Sequence, residues 1–117
     1  MKRFAVATGA ILLLNLGCVH AAAFLSERQA RAKAIDILKG DPYGRTRVEV
    51  AKNIRKIRLA INGNTKACGA LRIPAWDVHV TIVTANKDQF NSGIIDGFLA
   101  LDARTGKFLC ANLPFLD

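Results

Sequence analysis

The sequence has 117 residues, of which 51% are hydrophobic, 22% charged and 7% aromatic, and its formal net charge is +8. This length fits one small domain, because two independent cores would need roughly 100–200 residues each. The composition excludes a fully disordered chain and a collagen-like chain. The sequence contains no recognisable catalytic motif, so we expect a binding protein rather than an enzyme.

The N-terminus has the three-part layout of a secretory signal peptide. Lys2 and Arg3 precede an apolar run from Phe4 to Leu16, and small residues follow at Ala21–Ala23. The run is shorter than the roughly 20 residues that span a bilayer. We predict a signal peptide over residues 1–21, cleaved near Ala21–Ala23, and a periplasmic or secreted protein. A buried N-terminal helix is the alternative.

A lipoprotein signal is a second interpretation of the same region. Leu16-Gly17-Cys18 resembles the end of a lipobox, and acylation of Cys18 would anchor the protein to a membrane. Asn15 and Leu16 fit that pattern badly at their positions. A lipid anchor at Cys18 is therefore the less favoured alternative.

Two cysteines, Cys68 and Cys110, follow the predicted signal peptide. An even number in a compartment that permits disulfides favours a bridge. Such a bridge closes a loop of about 43 residues and is worth about 4 kcal/mol in the chain-entropy model. A zinc or redox pair is the alternative, but there is no CxxC motif and there are too few His ligands. We predict a structural disulfide, with no metal site and no cofactor.

Positive charge is concentrated in the first half of the mature chain. From Ser26 to Lys66 eleven cations oppose four anions, whereas from Ala67 to Asp117 four cations oppose five anions. This asymmetry favours acidic partners outside the cytoplasm, such as an acidic protein, anionic lipid headgroups or lipopolysaccharide phosphates, and the compartment argues against nucleic acid. A solvated basic face that only maintains solubility is the alternative. The candidate residues for anion or partner binding are Arg45, Arg47, Lys52, Arg55, Lys56 and Arg58.

The first helix is predicted from its caps and its apolar spacing. Ser26 and Gln29 form a capping box, and apolar residues at helical spacing follow it as far as Leu38. Gly40 and Pro42 then end the helix.

The next segment has two interpretations. Thr46 and Glu49 form a second capping box, which predicts a helix from Arg47. Over residues 54–61 the apolar residues fit both a helical spacing and the alternation of a strand, and Asn62-Gly63 predicts a turn. The segment can begin as a helix and end as a strand, and its periodicity leaves the choice open.

Alternation with a period of two predicts strands in the rest of the chain. Trp76 to Val83 alternates, a polar loop follows from Asn86 to Gly93, and Ile95 to Leu101 and Phe108 to Cys110 are further strands. The amphipathic helix is the largest apolar stripe available to cover them. We predict an α+β fold, with one or two N-terminal helices packed on a three- to four-stranded antiparallel meander, in a single domain over residues 22–117.

Structural roles are predicted for several conspicuous residues. Trp76 is interpreted as a core anchor rather than a ligand platform. His79 is interpreted as a hydrogen-bonded or surface residue, because the catalytic alternative lacks a nucleophile motif. Asp102, Thr105 and Gly106 are interpreted as a tight turn. The C-terminal apolar residues are expected to complete the core, with a sticky tail as the alternative; they are Leu113, Phe115 and Leu116.

The helix from Ser26 to Leu38, the strand Trp76–Val80 and the turn Leu101–Lys107 together resemble the PepSY domain of secreted and periplasmic bacterial proteins. The resemblance covers roughly residues 26 to 111 and implies an N-terminal helix packed on an antiparallel sheet. It also implies a non-enzymatic binding or inhibitory module, which some members attach to thermolysin-like proteases. The chain differs by a basic segment, Thr46 to Lys66, that we expect to be inserted between helix and sheet, and by its cysteine pair.

Together these features predict a small exported binding or inhibitory module that contacts an envelope or extracellular protein. The alternative is an electrostatic binder of anionic envelope components through residues 45–58. A small hydrolase that uses His79 is a third hypothesis.

Overall fold

The computed structural model describes residues 23–83 and 93–116. Within these ranges the chain forms two helices, a four-stranded antiparallel sheet and a two-stranded ribbon. This architecture confirms the predicted α+β fold. The predicted signal peptide and its Cys18 lie outside the described residues, as does the predicted polar loop apart from Gly93.

The first helix, α1, spans Glu27–Leu38 and begins at the predicted capping box. The Gln29 amide donates to Ser26 Oγ at 3.1 Å, and the Ser26 amide donates to Gln29 Oε1 at 2.8 Å. These bonds satisfy two of the backbone donors that a helix N-terminus leaves without partners. Gly40, with a φ of +127°, follows the helix end as predicted.

The segment after Thr46 begins as a helix and ends as a strand. The second helix, α2, spans Arg47–Asn53, and the first strand, β1, follows at once over Ile54–Ala60. The basic segment therefore contributes a strand of the sheet, and the expectation that it is inserted between helix and sheet is wrong. Ile57 of this strand is buried in the core, where it pairs with Val78 of the neighbouring strand.

The other sheet strands are β4 (Ala75–Val83), β5 (Ile94–Asp102) and β6 (Phe108–Ala111), in the order β1-β4-β5-β6. The connection between β1 and β4 contains a two-stranded ribbon that the sequence analysis did not predict. Its strands are β2 (Asn64–Thr65) and β3 (Gly69–Ala70). Two-residue strands are too short to produce a detectable alternation.

The core lies between α1 and one face of the sheet, which we call the inner face. Trp76 is 8% exposed within this core, and its indole Nε1 donates to the Leu25 carbonyl at 3.1 Å. The strand therefore holds the chain that leads into α1. The core residues include Ala30, Ala34, Ile35, Leu38, Val78, Val80, Leu99 and Leu101.

The turn between β5 and β6 has the local bonding that its sequence predicts. Asp102 Oδ1 accepts from the amides of Arg104 at 2.8 Å and Thr105 at 3.1 Å. These bonds lower the pKa of Asp102, with the Arg104 amide contributing most and burial opposing the shift. Gly106 has a φ of +77°, which a residue with a side chain adopts only with strain.

The C-terminal apolar residues divide between core and surface. Leu113 is 5% exposed and belongs to the core, and Leu116 packs partly against it. Phe115 is 66% exposed. The segment is also held by the buried Tyr43, whose hydroxyl donates to the Pro114 carbonyl.

Candidate functional site

The six basic residues predicted as a binding cluster do not form one surface. Arg45 pairs with Asp41 at 3.4 Å, and Arg47 pairs with Asp36. The hydrogen bond that Arg45 donates to the Asp41 carboxylate is the main cause that raises the pKa of Arg45. The positive charge of these two arginines is therefore balanced locally.

Lys52 lies in a cleft of mixed charge at the junction of α2 and β4. The cleft has a volume of about 490 Å³, and its charged lining comprises Asp41, Arg45, Glu49 and Lys52. Two carboxylates balance two cations there, so the cleft gives no net attraction for an anion.

The remaining candidates lie on β1, at the second face of the sheet, which we call the outer face. The register pairs Lys56 with His79 and Arg58 with Asp77 across β1 and β4. The same rows continue onto β5, where His79 opposes Phe98. Alternation along each strand therefore brings basic, acidic and aromatic side chains together on the outer face. Arg55 is exposed beside them, where the register of β1 shifts.

Asp77 is the buried polar centre of this face, with a side chain that is 1% exposed. Its Oδ2 accepts from Arg58 Nη2 at 3.1 Å and from the Lys66 amide at 2.7 Å. Its Oδ1 accepts from the Ala67 amide at 3.3 Å. The carboxylate thus holds the β2–β3 connection on the outer face and has little remaining capacity for a ligand.

The predicted disulfide joins the same connection to β6. Cys68 and Cys110 are bonded, with their Cα atoms 6.3 Å apart. Asn112 Nδ2 also donates to the Lys66 carbonyl at 3.2 Å. The bridge confirms the sequence prediction and is compatible with an extracytoplasmic location. It also holds Lys66 over the sheet.

His79 is part of a small polar network next to Asp77. Its ring stacks on Phe98 with centroids 4.5 Å apart, and its Nε2 lies 2.8 Å from Asp96 Oδ1. Thr81 Oγ1 donates to the same Asp96 oxygen at 2.5 Å. Both hydrogen bonds lower the pKa of Asp96, and the bond from Thr81 contributes more than the bond to His79.

These elements enclose a depression of about 280 Å³ on the outer face. We call it the outer-face depression; it is lined by Lys56, Arg58, Lys66, Asp77, His79 and Phe98. Three of these side chains are cationic and one is anionic, and the anion is already bonded to three donors. Among the residues that the structure describes, Lys56 and Lys66 form no ion pair. The aromatic stack gives the depression an apolar wall.

This geometry suits an anionic group with an apolar stem, such as an acidic side chain. The lysine amines can bind the charge, and the His79–Phe98 stack can contact methylene groups. Lys56 and Arg58 were predicted from the sequence as site residues, whereas Lys66, His79 and Phe98 were not. Alternation places His79 and Phe98 on outward positions, but their pairing needs the strand register. The place of Lys66 depends on the disulfide and on Asp77.

Comparisons with protein-family models, with curated proteins and with solved structures found no match. The resemblance to PepSY domains therefore stays a prediction.

The described residues, 23–83 and 93–116, also bear on membrane insertion and metal binding. No helix in these ranges is long and apolar enough to cross a membrane. No group of three or more His, Cys, Asp and Glu side chains in them could hold a metal ion.

Proposed function

We propose that this protein is an exported binding or inhibitory module that holds an acidic segment of an envelope or extracellular protein in the outer-face depression. The observation that carries the proposal is the placement of Lys56 and Lys66 around an aromatic wall, with the nearby carboxylate of Asp77 already bonded. An acidic side chain can bind in such a site because the two lysine amines attract its carboxylate and the apolar wall contacts its methylene groups.

A protein segment suits this surface better than the flat surface of a membrane. Electrostatic binding to a bilayer needs cations that face one plane, whereas Arg45 and Arg47 are ion-paired beside α2. Lys56 and Lys66, which form no ion pair among the described residues, instead line a depression of about 280 Å³ that is large enough to admit an acidic side chain. Binding of anionic lipid or lipopolysaccharide is the alternative, and the experiment below distinguishes it from binding of an acidic protein segment.

Three features support an exported module of PepSY type. A helix packed on an antiparallel sheet is the fold that the resemblance implies. A disulfide is typical of proteins outside the cytoplasm. His79, the residue that a hydrolase hypothesis would use, is bonded to Asp96 and stacked on Phe98, so its ring is held as part of a binding wall.

The test compares two double charge reversals that change net charge equally. The site variant is Lys56→Glu with Lys66→Glu, and the control is Arg28→Glu with Lys39→Glu. The control residues are exposed and lie on and just after α1, which packs on the inner face. Binding is measured by calorimetry with a synthetic peptide rich in Glu, and by flotation with vesicles containing anionic lipid.

The proposal predicts that the site variant loses peptide binding by tenfold or more, at about 1.4 kcal/mol per tenfold, while the control binds like the wild type. Equal weakening of peptide binding in both variants would indicate diffuse attraction and contradict the proposal. A third outcome would favour the membrane alternative. In that outcome the wild type does not bind the peptide but binds the vesicles, and both variants lose vesicle binding equally.

A further inference from the structure

Strand β1 forms one edge of the four-stranded sheet, with β4 as its neighbour on one side. Among the described residues, its backbone makes two hydrogen bonds outside the ladder, both at its ends. The Ile54 amide donates to the Ala51 carbonyl, and the Gly63 amide donates to the Ala60 carbonyl. The middle of this edge therefore presents backbone donors and acceptors that an added strand can bind.

Side chains along this edge are strongly basic. Lys56 and Arg58 point to the outer face and line the outer-face depression, whereas Ile57 is buried. Arg55 is exposed at the register shift. The depression therefore begins at the edge strand itself, so side chains of a strand added along β1 can reach it.

This charge pattern selects the strand that can be added. A second copy of β1 in antiparallel pairing would place cations opposite or diagonal to cations, which is destabilising. A strand with acidic residues at alternate positions would instead place carboxylates beside Lys56 and Arg58. The Cβ atoms of directly opposite side chains in paired strands lie about 4.5–5.5 Å apart. At this distance the carboxylates of the added strand can contact the charged groups of Lys56 and Arg58.

We propose that the acidic segment binds as an additional β-strand along the edge of β1, with alternate acidic side chains in the outer-face depression. This inference rests on the proposed function and specifies its partner as an extended acidic chain. Backbone hydrogen bonds supply affinity, and the cations of the depression select acidic residues on one face of the added strand.

The test uses a synthetic peptide in which Glu alternates with Thr, and two copies of it that are N-methylated at alternate residues. An added strand bonds to β1 through every second amide, so one set of N-methyl groups removes its bonds and the other set points away. The expected result is that one methylated peptide binds about tenfold or more weakly than the other, measured by calorimetry with the full chain.

The unmethylated peptide separates the two proposals. If it fails to bind, or binds the Lys56→Glu/Lys66→Glu variant as tightly as the wild type, the proposed function is overturned. If it binds in a manner dependent on these lysines but the two methylated peptides bind equally well, strand addition is overturned while the proposed function stands. Slower hydrogen exchange of β1 amides in the complex would support strand addition, and unchanged exchange there would contradict it.

Discussion

Asp77 accepts a hydrogen bond from Arg58 at 3.1 Å across β4 and β1, and the two partners differ sharply in exposure. The Asp77 side chain is 1% exposed and that of Arg58 is 42% exposed. The carboxylate is therefore desolvated by the protein, while the guanidinium still contacts water. The same carboxylate holds the connection that carries Lys66, so the binding surface depends on this buried acid.

Replacement of Asp77 by Ala should destabilise the fold by about 3 kcal/mol, because it removes the acceptor of the buried Ala67 amide and of the partly buried Lys66 amide. Replacement of Arg58 by Met should cost less, since the amide bonds to Asp77 remain. Urea unfolding measures both. An Asp77→Ala cost no larger than that of Arg58→Met would mean that the carboxylate does not hold the connection.

Removal of the disulfide should lower the free energy of unfolding by about 4 kcal/mol in the chain-entropy model, because the bridged residues are 42 positions apart. Cys68→Ala with Cys110→Ala is the variant, and the oxidised wild type is the reference in guanidinium unfolding. A loss of unfolding free energy below about 1 kcal/mol would contradict this prediction. It would show that the hydrogen bonds of Asp77 and Asn112 hold the β2–β3 connection in place without the disulfide.

Tyr43 is the one tyrosine of the chain, so phenolate absorbance reports it alone. Burial raises its pKa to about 12, compared with about 10 in an unfolded chain. The contribution of this group to stability is fully present below about pH 10 and is lost as pH rises towards about 12. The folded protein should titrate near the higher value and the urea-unfolded protein near the lower. A native midpoint near 10 would contradict the burial of the hydroxyl.

Acid should destabilise the protein partly through Asp102 and Asp96. The pKa of Asp102 is lowered mainly by the Arg104 amide, and that of Asp96 mainly by the Thr81 hydroxyl. Their stabilising contributions are present above the unfolded value of about 3.9 and are lost as pH falls through the lower folded values.

An Asp102→Asn variant checks this dependence, because it retains an oxygen acceptor for the turn but removes the titration. Its free energy of unfolding should fall less between about pH 5 and about pH 2 than that of the wild type. An identical fall in both proteins would show that Asp102 does not contribute to the acid sensitivity.

Local sequence signals predicted much of the fold. The capping boxes at Ser26 and Thr46 are bonded as predicted, because capping depends on residues three positions apart. The alternation from Trp76 placed this strand correctly, since one of its faces is buried. The helical and strand patterns of residues 54–61 could not be separated, because helix α2 leads into β1 without a loop.

The candidate site was less accessible to sequence reasoning. Charge counting grouped Arg45 with Lys56, but Asp41 balances Arg45 and the sheet carries Lys56 to another face. His79 and Phe98 are 19 positions apart and meet only because of the strand register. Lys66 reaches the site through long-range bonds. Tertiary contacts of this kind leave no periodic signal in the sequence.

The most direct test of an acidic segment in the outer-face depression is a map of amide chemical shifts during titration of the full chain with the Glu-Thr peptide. The largest shifts are predicted at Lys56, Lys66, His79 and Phe98, with little change along α1. Shifts concentrated instead around Asp41 and Arg45, or spread evenly over all the basic residues, would contradict binding at this face of the sheet.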